Sequence, residues 1–268
     1  MMDKLMDAKK SERMPLLFVG HGSPMNAIDA NSFTKTLNTL GAKLPKPRAI
    51  LVISAHWMTR GTFVTEMARP KTIHDFGGFP KALFEVQYPA PGSPELAKLV
   101  RETVLNPKVS SDLDEWGLDH GTWSVLRHMY PQADVPVVQL SLNIQESPEY
   151  HRKLGSQLST LRDHGVLILG SGNLVHNLRT IKWEPGAEAY DWALEFDSWI
   201  KKKLVEGDFK STLFDFHQTQ AGKLSVPTME HYYPLHYILG AADKKDELRF
   251  EYEEMQNGSI SMRSFSLS

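Results

Sequence analysis

Four short aliphatic runs punctuate the chain: LLFV at residues 16–19, AILVIS at 49–54, VPVVQLSL at 135–142 and VLILGSG at 166–172. None shows the alternation of a strand with one wet face, so each predicts a strand buried on both sides. Between the last two lies SPEYHRKLGSQLSTLRDHG, in which Ser147 suits a helix N-cap, Pro148 the first helical position and Gly165 the stop. GSPELAKLVRETV repeats that grammar with Ser93 and Pro94. Strands alternating with helices predict a mostly parallel sheet with helices on both faces, since parallel neighbours need a crossover connection. The carboxy-terminal runs ELRFEYEEM and SISMRSFSLS instead alternate apolar with polar residues, which predicts antiparallel strands closing one edge of the sheet. The expected fold is therefore a single α/β domain over residues 14–268. Residues 1–13, charged and without an apolar core, form an expected flexible amino-terminal extension.

Composition narrows the chemistry. The 268 residues carry 30 Lys+Arg against 32 Asp+Glu, a balance that supplies no broad field for nucleic acid or an anionic membrane surface. No signal peptide opens the chain and no apolar run reaches the length of a membrane span, so a cytoplasmic protein is expected. A small-molecule ligand is the expected partner, and the protein is expected to be a monomer or homodimer. There is no cysteine, which removes thiolate nucleophiles and every cysteine-based zinc site. Any metal must be held by histidine or carboxylate.

The 11 histidines are informative by position. His21 follows the first aliphatic run, His56 the second and His176 the fourth. In an open parallel sheet, ligands bind beyond the carboxyl ends of the strands, so these imidazoles are expected to converge there. His120, in GLDHGTW, and His231, in PTMEHYYPL, are two further candidates. His128, His151, His164 and His217 read as helix-face or loop residues, and His74 and His236 stay open. His236 lies five positions after His231, off the same helical face, and is a poor partner for a shared metal. Neither GSGN nor GHGSP fits the nucleophile elbow, and there is no Walker loop, no G-x-G-x-x-G and no HEXXH. What remains is a histidine site without thiolates, and imidazole suits zinc, copper, nickel and non-haem iron alike.

The motifs GHGSP, SAHW, GLDHG, GSGNLVHN and PTMEHYYPLHY, in this order, resemble the 4,5-DOPA extradiol dioxygenase family of the class III, LigB-like superfamily, and its bacterial branch most of all. The resemblance runs from Met14 onward and includes HDFGGFP and YPAPGSPELA. It implies a single-domain α/β fold and ring opening of a catechol such as DOPA by O2, with Fe(II) as the active metal and Zn(II) able to occupy the same site. It also implies that His21, His56 and His231 are metal ligands. His176 is then the acid–base histidine near the metal, able to join a zinc ion as a fourth ligand, and His120 is a second catalytic pocket histidine. More distant class III enzymes complete their site with a glutamate, so Glu230, directly before His231, is the alternative third ligand. Two other functions share these residues: a zinc hydrolase with a metal-activated water, and a non-catalytic metal- or protein-binding module. The presence of all five histidines favours catalysis. His21 between two glycines fits a ligand projected from a tight strand-end turn, with its backbone close to substrate.

Overall fold

The computed structural model describes residues 13–184 and 186–268. The expected extension lies outside the described residues apart from Arg13, which donates to Asp163 Oδ1 at 2.7 Å. The strands are β1 (Leu16–Gly20), β2 (Ala49–Thr59), β3 (Thr62–Thr65), β4 (Val109–Asp112), β5 (Val137–Asn143), β6 (Val166–Gly172), β7 (Leu248–Tyr252), β8 (Met255–Gln256), β9 (Ile260–Ser261) and β10 (Ser264–Leu267). Eight of them form one sheet in the order β4-β3-β5-β2-β6-β1-β10-β7. The four aliphatic runs make the parallel centre, β5-β2-β6-β1. β10 then pairs antiparallel with β1, and β7 with β10, closing that edge as expected. On the other edge β3 pairs antiparallel with β5 and carries β4, two short strands that the hydrophobic pattern does not show.

The uninterrupted aliphatic runs follow from burial on both sheet faces. Leu16, Phe18, Leu51, Ile53 and Ile168 point into one core, while Leu17, Val19, Ile50, Val52, Leu167 and Leu169 point into the other. The helices are α1 (Ser32–Lys43), α2 (Lys81–Phe84), α3 (Pro94–Thr103), α4 (His120–Met129), α5 (Pro148–Leu158), α6 (Asp191–Val205), α7 (Phe209–Phe214), α8 (Gln220–Ser225) and α9 (Tyr233–Ala241). α3, α5, α6 and α9 cover the first core, and α1 and α4 the second. The predicted caps are present: Ser93 accepts from Leu96 N, Ser147 from Tyr150 N, and Gly165 adopts φ +76° where the helical stretch stops. No described helix is long and apolar enough to cross a membrane.

Candidate metal centre

The carboxyl ends of β1, β2 and β6 deliver three of the candidate histidines to one place. His21 follows β1 directly, and its N–H extends the ladder to Gly172 O at 3.1 Å. His56 lies inside β2, in the stretch between Ile53 and Met58 where the register against β5 shifts, so the strand continues past it to Thr59. His176 follows β6, held by its N–H to Ser225 O at 2.9 Å. His120 is the first residue of α4, whose cap is Asp119. His231 sits in the turn before α9, and its carbonyl accepts from Asn173 N at 3.0 Å.

The five rings surround one pocket of about 370 Å3, walled on its apolar side by Phe76, Phe79, Leu178, Ile181 and Trp183. A wider depression of about 560 Å3 elsewhere is lined by Phe209, Leu213, Phe214 and Leu239. Its one carboxylate, Glu149, is already paired with Arg152 at 2.7 Å, so it offers no metal-ligand set.

Two triads in the pocket bring their ligand atoms within 4.8 Å of one another: His21, His56 and His120, and His176, Glu230 and His231. The set implied by the resemblance, His21, His56 and His231, straddles them, with His231 centred 5.3 Å from His21 and 5.0 Å from His56. His176 stacks flat on His231, ring centres 3.4 Å apart and planes 10° apart. An ion in the plane of one of these rings lies well out of the plane of the other, so His176 must turn before both can ligate one ion.

Hydrogen bonding fixes where the His21 ring proton lies. Ser171 Oγ donates to Gly121 O at 2.6 Å, so at 2.9 Å from His21 Nδ1 it can only accept, and the His21 proton is on Nδ1. His56 Nδ1 lies 3.5 Å from Asp75 Oδ2, whose charge favours a proton on that nitrogen. His21 Nε2 therefore presents its lone pair to His56 Nε2 at 3.1 Å, and a His56 ring with its proton on Nδ1 sets a second lone pair against it. Burial, and then the positive form of the neighbouring imidazoles, pushes the pKa of both rings well below 6.5, so protonation does not relieve the contact. A cation does: two nitrogens bound to one ion at the usual distance are about 2.9–3.4 Å apart. The all-nitrogen and oxygen donor set suits Fe(II) or Zn(II).

His231 and His176 are also neutral bases. Burial depresses His231 well below 6.5, and it holds His176 at about 4. Glu230 Oε1 accepts from Thr228 Oγ1 at 2.7 Å and lies 3.3 Å from His231 Nδ1.

Two contributors are not evident from the sequence pattern. Ser171 is hidden in the glycine pair of GSG, and Asp75 lies in the loop stretch HDFGGFP. Asp75 receives the His120 backbone N–H at 2.8 Å and faces its Nδ1 at 2.9 Å. Burial alone would raise its pKa, but hydrogen bonds from His120 and the charges of His120 and His56 outweigh it and hold the carboxyl at about 2. The other histidines do not join the site: His74 Nε2 donates to Val86 O, His128 Nε2 to Asn26 O, and His236 is buried between the carbonyls of Tyr232 and Leu213. The glycines around His21 make room for a different neighbour than expected. A Cβ on Gly20 would meet Ser261 O at 2.7 Å, and one on Gly22, at φ +64°, would meet Met262 Sδ at 2.3 Å. Gly22 lines the pocket, but both positions are crowded by the chain at residues 261–262.

A mostly parallel α/β sheet with five imidazoles around one pocket beyond its carboxyl edge, and no thiolate, is the arrangement of a candidate non-haem metal enzyme. Residues 15–261 match the family described as the catalytic LigB subunit of aromatic ring-opening dioxygenase. Over 259 residues the chain is 48% identical to the 4,5-DOPA dioxygenase extradiol of Escherichia coli K12, covering 96% of each chain. It is 39% identical over 260 residues to the 4,5-DOPA dioxygenase extradiol of Beta vulgaris, covering 94% of this chain and 95% of that one. A crystal structure of an uncharacterized Escherichia coli K12 protein superposes with a TM-score of 0.83 at 42% identity, covering 96% of this chain and 100% of the other. This chain belongs to the LigB family of ring-opening dioxygenases.

Proposed function

We propose that this protein is an extradiol dioxygenase that opens a catechol such as DOPA with O2 at a non-haem Fe(II) held by His21, His56 and His231. The observation that carries the reading is the convergence of five imidazoles on one aromatic-walled pocket of about 370 Å3, with His21 Nε2 and His56 Nε2 3.1 Å apart. When bound, Fe(II) supplies Lewis acidity toward the ring hydroxyls and the one-electron chemistry that O2 requires. His231 is favoured over Glu230 as third ligand because the glutamate is engaged with Thr228 and with His231 Nδ1, which leaves His231 Nε2 as the nitrogen that would hold the ion.

The protein's own groups do the rest. Phe76 packs edge-on against His120, ring centres 5.5 Å apart, and with Phe79 and Trp183 forms an apolar wall that receives an aromatic ring and excludes water. His176, neutral at physiological pH, takes the second phenolic proton on its ring nitrogen and later returns it to the departing oxygen. His120, which also lines the pocket, orients the substrate. The test is anaerobic reconstitution with Fe(II) followed by a screen of catechols for yellow ring-opened products. The same protein loaded with zinc is assayed with esters and amides. Hydrolysis there, with no ring opening by the iron form, would replace the reading with a zinc hydrolase.

A further inference from the structure

We propose that Asp75 is a positioning residue that holds His120 in the tautomer whose Nε2 lone pair faces the pocket. The use of that lone pair by a catechol hydroxyl rests on the function proposed above; the tautomer itself does not.

Asp75 lies in a loop, yet its place is fixed by chain register. Thr72 bridges Leu118 in parallel, Ile73 N donates to Leu118 O at 2.7 Å, and Leu118 N donates to Lys71 O at 2.8 Å. Trp123 Nε1 closes the same loop by donating to Ile73 O at 2.8 Å. This short ladder sets Asp75 opposite His120, where both carboxylate oxygens are used. Oδ1 accepts the backbone N–H of His120 at 2.8 Å, a group that has no acceptor within α4 because it opens the helix. Oδ2 accepts from the ring Nδ1 at 2.9 Å. With one oxygen anchored to the helix end, the carboxylate cannot turn away from the ring without losing both bonds. A carboxylate only accepts, so in its neutral form the His120 ring carries its proton on Nδ1 and leaves Nε2 as an acceptor. The same Oδ2 faces His56 Nδ1 at 3.5 Å, so one side chain biases two rings of the site in the same sense.

Asp75→Asn separates this role from a structural one. The amide oxygen can keep the backbone N–H of His120, which leaves an NH2 opposite Nδ1, and the ring proton must then move to Nε2. The experiment is nitrogen-15 NMR of the histidine rings in the zinc-loaded protein, with kcat and KM of the Fe(II) form measured beside it. Wild type is expected to show the Nδ1–H tautomer at His120 and His56. D75N is expected to show Nε2–H at His120 with metal content and circular dichroism unchanged. Its kcat is expected to fall by about 10–100-fold, with KM moving far less. Asp75→Glu, still an acceptor, is expected to restore part of both. A D75N protein that keeps Nδ1–H at His120, or keeps its kcat, overturns the proposal. If D75N does not fold, the wild-type spectrum decides, because a His120 proton on Nε2 overturns it as well. A wild-type iron enzyme that opens no catechol counts against the activity instead and leaves the tautomer result standing.

Discussion

Replacing Ser171 by alanine tests the proposed metal centre without touching any of its proposed ligands. Ser171 lies on β6, fully buried, and its hydroxyl relays His21 Nδ1 to Gly121 O at 2.9 and 2.6 Å. The substitution removes one oxygen and leaves the buried His21 ring N–H without its acceptor. Orphaned buried groups cost about 1–3 kcal/mol each, and the ring can lower its share by moving its proton to Nε2. That escape removes the lone pair a metal needs. The apoprotein is therefore expected to lose about 1–3 kcal/mol of stability. Metal affinity is expected to fall about 10–100-fold, the usual loss when a ligand's outer hydrogen bond is removed. Competition with a chromophoric chelator reads the affinity, and urea unfolding of the metal-free protein reads the stability. Unchanged metal affinity alongside a destabilised apoprotein would show that Ser171 is only a core hydroxyl and that His21 does not ligate through Nε2.

Four further expectations follow from the same geometry. His21→Ala and His56→Ala should each abolish stable metal binding with circular dichroism unchanged; full metal occupancy in either variant removes that residue from the ligand set. His231→Gln should lose metal far more than Glu230→Gln, and the reverse order by metal analysis would make the glutamate the ligand. His176→Phe should keep Fe(II) and bind catechol while turnover drops by about two to four orders of magnitude, and wild-type turnover would move the acid–base role to another group. Burial holds His151 at about 3 and His236 at about 4, both away from the metal. The unfolded chain takes up these protons near pH 6.5 and the folded chain only below about 4. Stability is therefore present above that range and lost as pH falls through it, by roughly 2 kcal/mol per histidine at pH 5. Equal urea midpoints at pH 7 and pH 5 in metal-free protein would contradict this.

The sheet centre was legible because strands buried on both faces read as near-continuous aliphatic runs, as in VLIL at 166–169. β3 and β4 were not, since TFVT and VSSD are four residues each and carry as many hydroxyls as a loop. Their pairing is set by β5, not by local preference. The histidines were legible by a topological rule, as an imidazole just past a parallel strand belongs to the ligand-binding edge. Asp75 escaped that rule because nothing periodic surrounds it, and its position depends on a bridge to Leu118, 46 positions beyond Thr72, that the chain pattern cannot reveal.

The stretch GSGN shows how one segment can be read correctly as a strand end and still withhold its role. β6 lies between β2 and β1, so the rings of His56 and His21 must meet over its carboxyl end, and any large side chain there would fill the space they need. Serine at 171 is small enough to sit beneath and still offers His21 an acceptor. At Gly172 an added Cβ would lie 2.2 Å from the carbonyl oxygen of His231, the same oxygen that Asn173 N–H holds at 3.0 Å. Glycine at that position is therefore what lets the turn before α9 descend onto the sheet end and bring His231 within 5.3 Å of His21. Three consecutive residues thus perform three separate tasks: a hydroxyl that sets a tautomer, a missing side chain that admits a neighbouring turn, and an amide N–H that fastens it. Small residues at the end of a central strand are ambiguous in sequence because the constraint on them comes from elements far along the chain. The convergence of His21, His56 and His231 depends on all three being small or polar, which ties the geometry of the metal centre to the packing of α9 as firmly as to the histidines themselves.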